Sequence, residues 1–314
     1  MNGVVMSGRI DVHQHLIPPA YRELLDRNGK TAGGWPMPDW DAAGAIAMMD
    51  GRSIATGILS VSAPGVYFGE NAAARDTARM VNEYSAELVK DRPDRFGMFA
   101  SLPLPDVDGA LAELAHAFDE LDADGVVLLS NVEGRYLGDP EFEPLWAELN
   151  AREATVFVHP DAPALPMLDG LPSPLLDFPF DTTRTALQLV TSGIMGRYPR
   201  VKVILSHAGG FLPYAAYRFT GAALVDPGLT PEGVFADLRR FYFDTALSAS
   251  ETALPALLAF AEEGHVCYGS DAPFAPDQWG GVFDAKLDEY QGYRPGQLAA
   301  INRGNAEGLF PRLR

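Results

Sequence analysis

Two histidines one residue apart, His13 and His15, end the stretch Arg9-Ile-Asp-Val-His-Gln-His15. Side chains alternate along a strand, so the two imidazoles share a face and Gln14 takes the other. Two imidazoles at a strand end make half of a metal site. In a chain with six histidines the same spacing also arises by chance, so it needs support from elsewhere. Three further positions supply it. His159 ends Ala154-Thr-Val-Phe-Val-His159, His207 ends Val201-Lys-Val-Ile-Leu-Ser-His207, and Asp271 ends Val266-Cys-Tyr-Gly-Ser-Asp271. Each sits where an apolar run meets a turn. Neutral imidazoles and a carboxylate suit Zn²⁺ and also accommodate Mn²⁺, Fe²⁺ or Co²⁺. The expected ligands to one divalent metal are His13, His15, His159 and Asp271, with Zn²⁺ the first choice and an open position for water or substrate. His207 is expected beside them as an acid or base, or as a fifth ligand. His116, inside a helical pattern, and His265, at the start of a strand, fall outside this set.

The elements that carry these residues alternate along the chain. Apolar runs at 56–62, 95–102, 125–130, 154–159, 201–207, 241–246 and 266–271 join the first run to make about eight strands. Between them, 72–90, 108–121, 142–152, 182–197, 212–220 and 251–263 read as helices, and 284–309 as a helical tail. Arg92-Pro93 and Tyr198-Pro199 mark stops, and Asp41 can cap a helix running to about Asp50. Strand-helix alternation of this kind predicts a (β/α)8 TIM barrel with a small inserted loop region after strand one. No glycine-rich phosphate loop follows an early strand, which argues against a nucleotide-binding open sheet. We read residues 1–314 as a single barrel domain. Loops near 18–41, with Gly, Pro and Trp, and 161–180, rich in Pro, are expected over the active face as lids.

The bulk numbers narrow the function classes. The chain has 314 residues, 47% hydrophobic and 21% charged, with a formal net charge of −18. So acidic a surface repels phosphate backbones, and no nucleic-acid partner is expected. No apolar run approaches the roughly 20 residues of a membrane span. Met1 to Gly8 has no basic segment followed by an apolar one, so no signal peptide is expected. The one cysteine, Cys267, lies in an apolar run and reads as a buried small hydrophobe. A soluble, cytoplasmic protein is the expectation.

On Asp11-Val-His-Gln-His15 with Pro18-Pro19, Phe157-Val-His-Pro160, Ser206-His-Ala-Gly-Gly210, Tyr268-Gly-Ser-Asp-Ala-Pro-Phe274 and Gly304-Asn-Ala-Glu, the chain resembles the amidohydrolase superfamily. More narrowly it resembles the aminocarboxymuconate-semialdehyde-decarboxylase-like branch. The resemblance implies a mononuclear metal on His13, His15, His159 and Asp271, with His207 at the catalytic position and Asp271 a second proton-transfer candidate. It also implies a homodimer or a dimer of dimers. Strand four ends Leu128-Leu-Ser-Asn131, without the lysine of the binuclear hydrolases. The stretch Gly33-Gly-Trp-Pro-Met-Pro-Asp39 just before Trp40-Asp41 has no arginine to hold a dicarboxylate. The stretches Gly34-Trp-Pro36, Gly65-Val-Tyr-Phe-Gly69 and Phe178-Pro-Phe-Asp-Thr-Thr-Arg184 look more like 6-methylsalicylate-decarboxylase-type members.

The first expectation is therefore metal-dependent, non-oxidative decarboxylation of a small aromatic ortho-hydroxy acid. Trp35, Phe68, Phe178 and Phe274 are expected to wall the pocket, and Arg184 either holds a carboxylate or sits in its helix. The same ligand set permits metal-assisted hydrolysis of a lactone or amide. A hydratase and a catalytically idle scaffold complete the alternatives.

Overall fold

The structure, a computed structural model, describes residues 8–313. The reading of Met1 to Ser7 lies outside the described residues. Seven parallel strands form one curled sheet in the order β1-β2-β3-β4-β7-β8-β9. They are β1 (Arg9–His15), β2 (Ile54–Ser60), β3 (Phe96–Ser101), β4 (Gly125–Leu129), β7 (Thr155–His159), β8 (Lys202–Leu205) and β9 (Tyr242–Phe243). A short antiparallel hairpin, β5 (Asn131–Val132) with β6 (Arg135–Tyr136), stands after β4. Every residue of β1, β3 and β7 is buried, as parallel strands covered on both faces must be.

The curl is joined by a segment that is not a regular strand. Residues 266–272 lie between β9 and β1. Cys267 N–H donates to Phe243 O at 2.8 Å, and Val12 N–H donates to Tyr268 O at 3.0 Å. Side chains then replace the ladder: Ser270 N–H donates to Asp11 Oδ1 at 3.0 Å and Gly269 N–H to Thr245 Oγ1 at 3.3 Å. This is why the expected eighth strand loses its regular pairing, and β9 shrinks to two residues beside it. The result is an α/β fold with a curled parallel sheet, consistent with a (β/α)8 barrel.

Two apolar layers hold it. Ile10, Val12, Ile58, Phe99, Val127, Phe157, Ile204 and Cys267 fill the inside of the curl. Phe99 stacks on Phe157 at 5.4 Å, and Phe310 meets Phe99 edge-on at 5.7 Å. Leu309, Phe310 and Leu313 thereby plug the end where the strands begin. Burial pushes the Cys267 thiol up, so it stays protonated and inert. The outer layer packs the other sheet face against helices, with Tyr21, Met98, Trp146 and Leu189 among its buried members.

Helix expectations hold for most of the chain. Asp41 does cap Ala42–Gly51, its side chain accepting from Gly44 N–H at 2.7 Å. The helix Pro231–Arg239 was not expected, although Thr230 caps it through Gly233 N–H. The tail is not one helix. It runs Asp277–Glu289, breaks, and resumes at Gln297 after Pro295 and Gly296, the latter at φ 79°. No described helix is long and apolar enough to cross a membrane.

At the start of β4, a Cβ on Gly125 would lie 2.4 Å from the backbone oxygen of Thr155 in β7. Backbone cannot swing aside as a side chain can. Gly125→Ala is expected to destabilise the fold by about 1–3 kcal/mol, read as a lowered denaturation midpoint. An unchanged midpoint would mean that β4 and β7 are not packed this closely.

Candidate metal centre

The first strand carries a bulge that shapes the site. Its register against β2 shifts between Asp11 and Gln14. Asp11 Oδ1 accepts the His13 N–H at 3.0 Å within the same strand. Both His13 and His15 then face inward, their Nε2 atoms 3.0 Å apart, while Gln14 packs over Gly57 on the other face. His159 ends β7. His207 follows β8 and Asp271 lies near the end of the joining segment, both in left-handed backbone, φ 52° and 58°. That conformation is uncommon for non-glycine residues and turns each side chain into the mouth of the curl.

One ligand atom from each of His13, His15, His159 and Asp271 lies within 4.8 Å of every other. All four residues are buried. Asp271 Oδ1 is 3.3 Å from Nε2 of both His13 and His15. Ligands about 2.0–2.1 Å from a tetrahedral ion stand about 3.3 Å apart, so these edges fit one divalent cation.

The hydrogen bonds on the far side of each ring decide what the near side presents. His13 Nδ1 is 2.7 Å from Asp244 Oδ2, His15 Nδ1 is 3.2 Å from Ser60 O, and His159 Nδ1 is 2.8 Å from Pro160 O. A carbonyl or carboxylate oxygen can only accept, so each Nδ1 donates its proton. Each neutral ring then aims an Nε2 lone pair at the others. Burial, with the neighbouring histidines, holds His159 well below the usual imidazole range, and burial lowers His15. Burial also opposes charge on His13, but Asp244 and Asp271 outweigh it and push His13 up to about 10. Burial opposes charge on Asp271 too, yet His13 above all holds it well below the usual carboxylate range. The 3.3 Å pairing of His13 Nε2 with Asp271 Oδ1 favours positive charge between them, which a divalent cation can supply.

His207 stands one step outward. Its Nε2 is 3.2 Å from Asp271 Oδ2, the oxygen facing away from the ring pair, and its Nδ1 is buried without a partner. Over this group opens a cavity of about 480 Å³. Trp35, Phe178 and Phe274 line it as expected, Phe274 edge-on to His15 at 5.4 Å and Phe178 edge-on to His159 at 6.0 Å. One of the expected wall residues lies elsewhere, and Arg184 takes the second of its two expected places, in its helix. Phe68 lines a separate cavity of about 330 Å³, with the Lys30 ammonium 5.6 Å from its ring. Arg184 is exposed, its guanidinium over Tyr136 at 4.9 Å and Phe180 at 5.4 Å. It lies one residue before buried Thr185 and is therefore turned about 100° away from that face of the helix Asp177–Thr191.

The sequence reading missed Trp279 and Phe283, which line the cavity from the helix Asp277–Glu289. Their aromatic spacing of i and i+4 was the available signal. It also missed Asp244, whose place at the end of β9 matches that of the ligand-bearing residues. At the end of β4, Ser130 and Asn131 donate to Asp181, Asn131 at 2.7 Å. Trp40 packs on Tyr84 at 6.3 Å. The two long loops meet: Ser173 N–H donates to Gly33 O at 2.8 Å. Gly33, at φ 57°, has no room for a side chain, since a Cβ would lie 2.9 Å from both Phe178 and Ser173.

A family described as amidohydrolase matches residues 10–312. The chain is 42% identical to a decarboxylase, macB, of Penicillium terrestre, over 98% of this chain and 96% of the relative. It is 40% identical to a 6-methylsalicylic acid decarboxylase of Penicillium expansum, over 98% and 97%. A dihydroxybenzoic acid decarboxylase from Polaromonas sp., solved with manganese and the inhibitor 2-nitroresorcinol, superposes with a TM-score of 0.84 at 26% identity, over 98% of each chain. The chain belongs to the amidohydrolase family.

If the four residues hold the ion, His159→Ala removes a ligand that no neighbour replaces. Metal content by elemental analysis should fall from one ion per chain to a small fraction, with activity lost alongside. Full metal content in this variant would rule out the site.

Proposed function

We propose that the chain is a metal-dependent, non-oxidative decarboxylase of a small aromatic ortho-hydroxy acid, of the 6-methylsalicylate type. The observation that carries it is the convergence of three Nε2 atoms and an Asp271 oxygen at the floor of a cavity walled by aromatic rings. His13, His15, His159 and Asp271 would hold the ion, with Zn²⁺ or Mn²⁺ the candidates. When bound, the metal supplies a chelating Lewis acid for the substrate's carboxylate and adjacent hydroxyl, which fixes orientation and polarises the ring.

The residues of the chain supply the rest. Among the described residues that line this cavity there is no lysine or arginine. A second carboxylate would find no counter-charge there, which favours a substrate with a single carboxylate. Trp35, Phe178, Phe274, Trp279 and Phe283 exclude water and pack the ring. His207 would deliver a proton to the ring carbon that bears the carboxylate; the 3.2 Å contact of its Nε2 with Asp271 Oδ2 supports this role. The new C–H bond forms, the C–C bond to the carboxylate breaks, its electron pair restores the aromatic ring, and CO₂ leaves. Solvent reprotonates the donor. Hydrolysis of a lactone or amide is the rival for the same ligand set. The aromatic wall and the 40% identity to a 6-methylsalicylic acid decarboxylase favour decarboxylation.

We read residues 1–314 as a single domain, with loops near 18–41 and 161–180 as a lid over the cavity, and the protein as cytoplasmic. We read the protein as a homodimer or dimer of dimers, supported by an exposed apolar strip on 212–225, where Tyr214 and Leu224 are each 89% exposed. Sedimentation at micromolar concentration should give at least twice the 33.9 kDa chain mass, and a monomer would refute this.

The direct test is CO₂ release by metal-loaded protein from 6-methylsalicylate, salicylate, 2,6-dihydroxybenzoate and 5-carboxyvanillate, with a chelator-treated control. Metal-dependent release is expected from 6-methylsalicylate, and little from the dicarboxylate 5-carboxyvanillate. His207→Ala should keep its metal and lose about 10²–10⁴-fold in rate. Silence across the panel with metal bound would sink the decarboxylase reading in favour of ester and lactone hydrolysis.

A further inference from the structure

Asp244 follows β9 and is fully buried. Its Oδ2 lies 2.7 Å from His13 Nδ1. Its Oδ1 accepts the main-chain N–H of His207 at 2.8 Å and of Ala246 at 3.0 Å. Its own carbonyl accepts the N–H of Ala208 at 3.1 Å. His207 and Ala208 are consecutive non-glycine residues in left-handed backbone, φ 52° and 57°, which persists only when its surroundings dictate it. Gly269 presses on this group: a Cβ there would stand 2.9 Å from His13 Cβ and 3.0 Å from Asp244 Cβ.

We infer that Asp244 is a positioning residue for two members of the site at once: one carboxylate oxygen fixes the proton of His13 on Nδ1, and the other holds the turn that aims His207. This deepens the proposed function and rests on it for the metal and for the part played by His207. His15 Nδ1 lies 3.2 Å from Ser60 O and 3.0 Å from the Ser60 hydroxyl, and His159 Nδ1 lies 2.8 Å from Pro160 O. Of the three rings, His13 alone has a carboxylate behind it. A carboxylate accepts at both oxygens, whereas an amide offers one acceptor and one donor. Whichever way an asparagine turned here, its NH₂ would face either His13 Nδ1 or the two main-chain N–H groups. The first orientation moves the His13 proton to Nε2, where a lone pair is needed. The second loosens the His207 turn.

The test is Asp244→Asn, stripped of metal and titrated with Mn²⁺ and Zn²⁺ against a chromophoric chelator. The expected affinity loss is about 10- to 100-fold, the range for removing the partner of a metal-bound histidine. At saturating metal, kcat should fall more than KM rises. A second readout uses the unaltered protein: in Zn²⁺-loaded chain, imidazole ¹⁵N–¹H correlation should place the His13 proton on Nδ1. Unchanged metal affinity in a folded variant overturns the inference. So does a His13 proton found on Nε2, which also decides the matter should the variant fail to fold. The parent reading fails separately. Unaltered protein that binds no divalent ion removes the metal site and this inference with it. Protein that binds metal but releases no CO₂ removes only the decarboxylase, because the affinity comparison and the proton position need no substrate.

Discussion

The constraint on which this molecule turns is mutual repulsion among buried lone pairs. Each of three imidazoles spends its one proton on an oxygen behind it, and so turns an acceptor toward the other two. Acceptors packed at 3.0–3.3 Å around a carboxylate oxygen are stable only with positive charge between them. On the proposed function, that charge is a divalent ion. The parallel sheet exists, in this sense, to bring the ends of β1 and β7 and the joining segment close enough for the conflict to arise, and the buried strands are stiff enough to prevent its relaxation.

The same logic explains the composition of the cavity. Charge is concentrated on its floor, and its walls are mostly aromatic or aliphatic, with Ser62 and Ser248 the neutral polar exceptions among the described residues. A carboxylated ring entering it gives up water and gains ring contacts, while its negative end meets the one place with matching charge. Neutral product and CO₂ find no such match. A floor of this polarity under walls of this kind favours loss of the carboxylate over its retention.

Much of this was legible in the chain, for reasons that can be named. The ligand residues interrupt strongly apolar runs, and an uncompensated imidazole or carboxylate there stands out. Asp41 before an alanine-rich stretch, and Pro93 and Pro199 after helices, act locally and were readable locally. What could not be read depends on contacts across long separations. The joining segment 266–272 looks like a strand, but Asp11 and Thr245 take its N–H groups from far along the chain. Phe68 and Arg184 lie in apolar or polar company that sequence pattern matches well enough, yet loop course and helix rotation carry them away from the cavity. Asp244 shares the strand-end position of the ligands, but its carboxylate points behind His13 and not beside it, and periodicity does not report depth.

The plug formed by Leu309, Phe310 and Leu313 has a bearing on how the protein comes to exist. Arg303 reaches Gly8 O at 3.0 Å, and Arg312 binds Asp124 at 2.7 Å, so the final turns are stitched to the starts of β1 and β4. During synthesis β1 emerges well before the residues that stitch it. Until residues 266–312 are made, a nascent chain carries an open sheet edge, and the pair His13 and His15 without Asp271. On the proposed metal site, the full set of four ligands therefore exists only once the joining segment has been made.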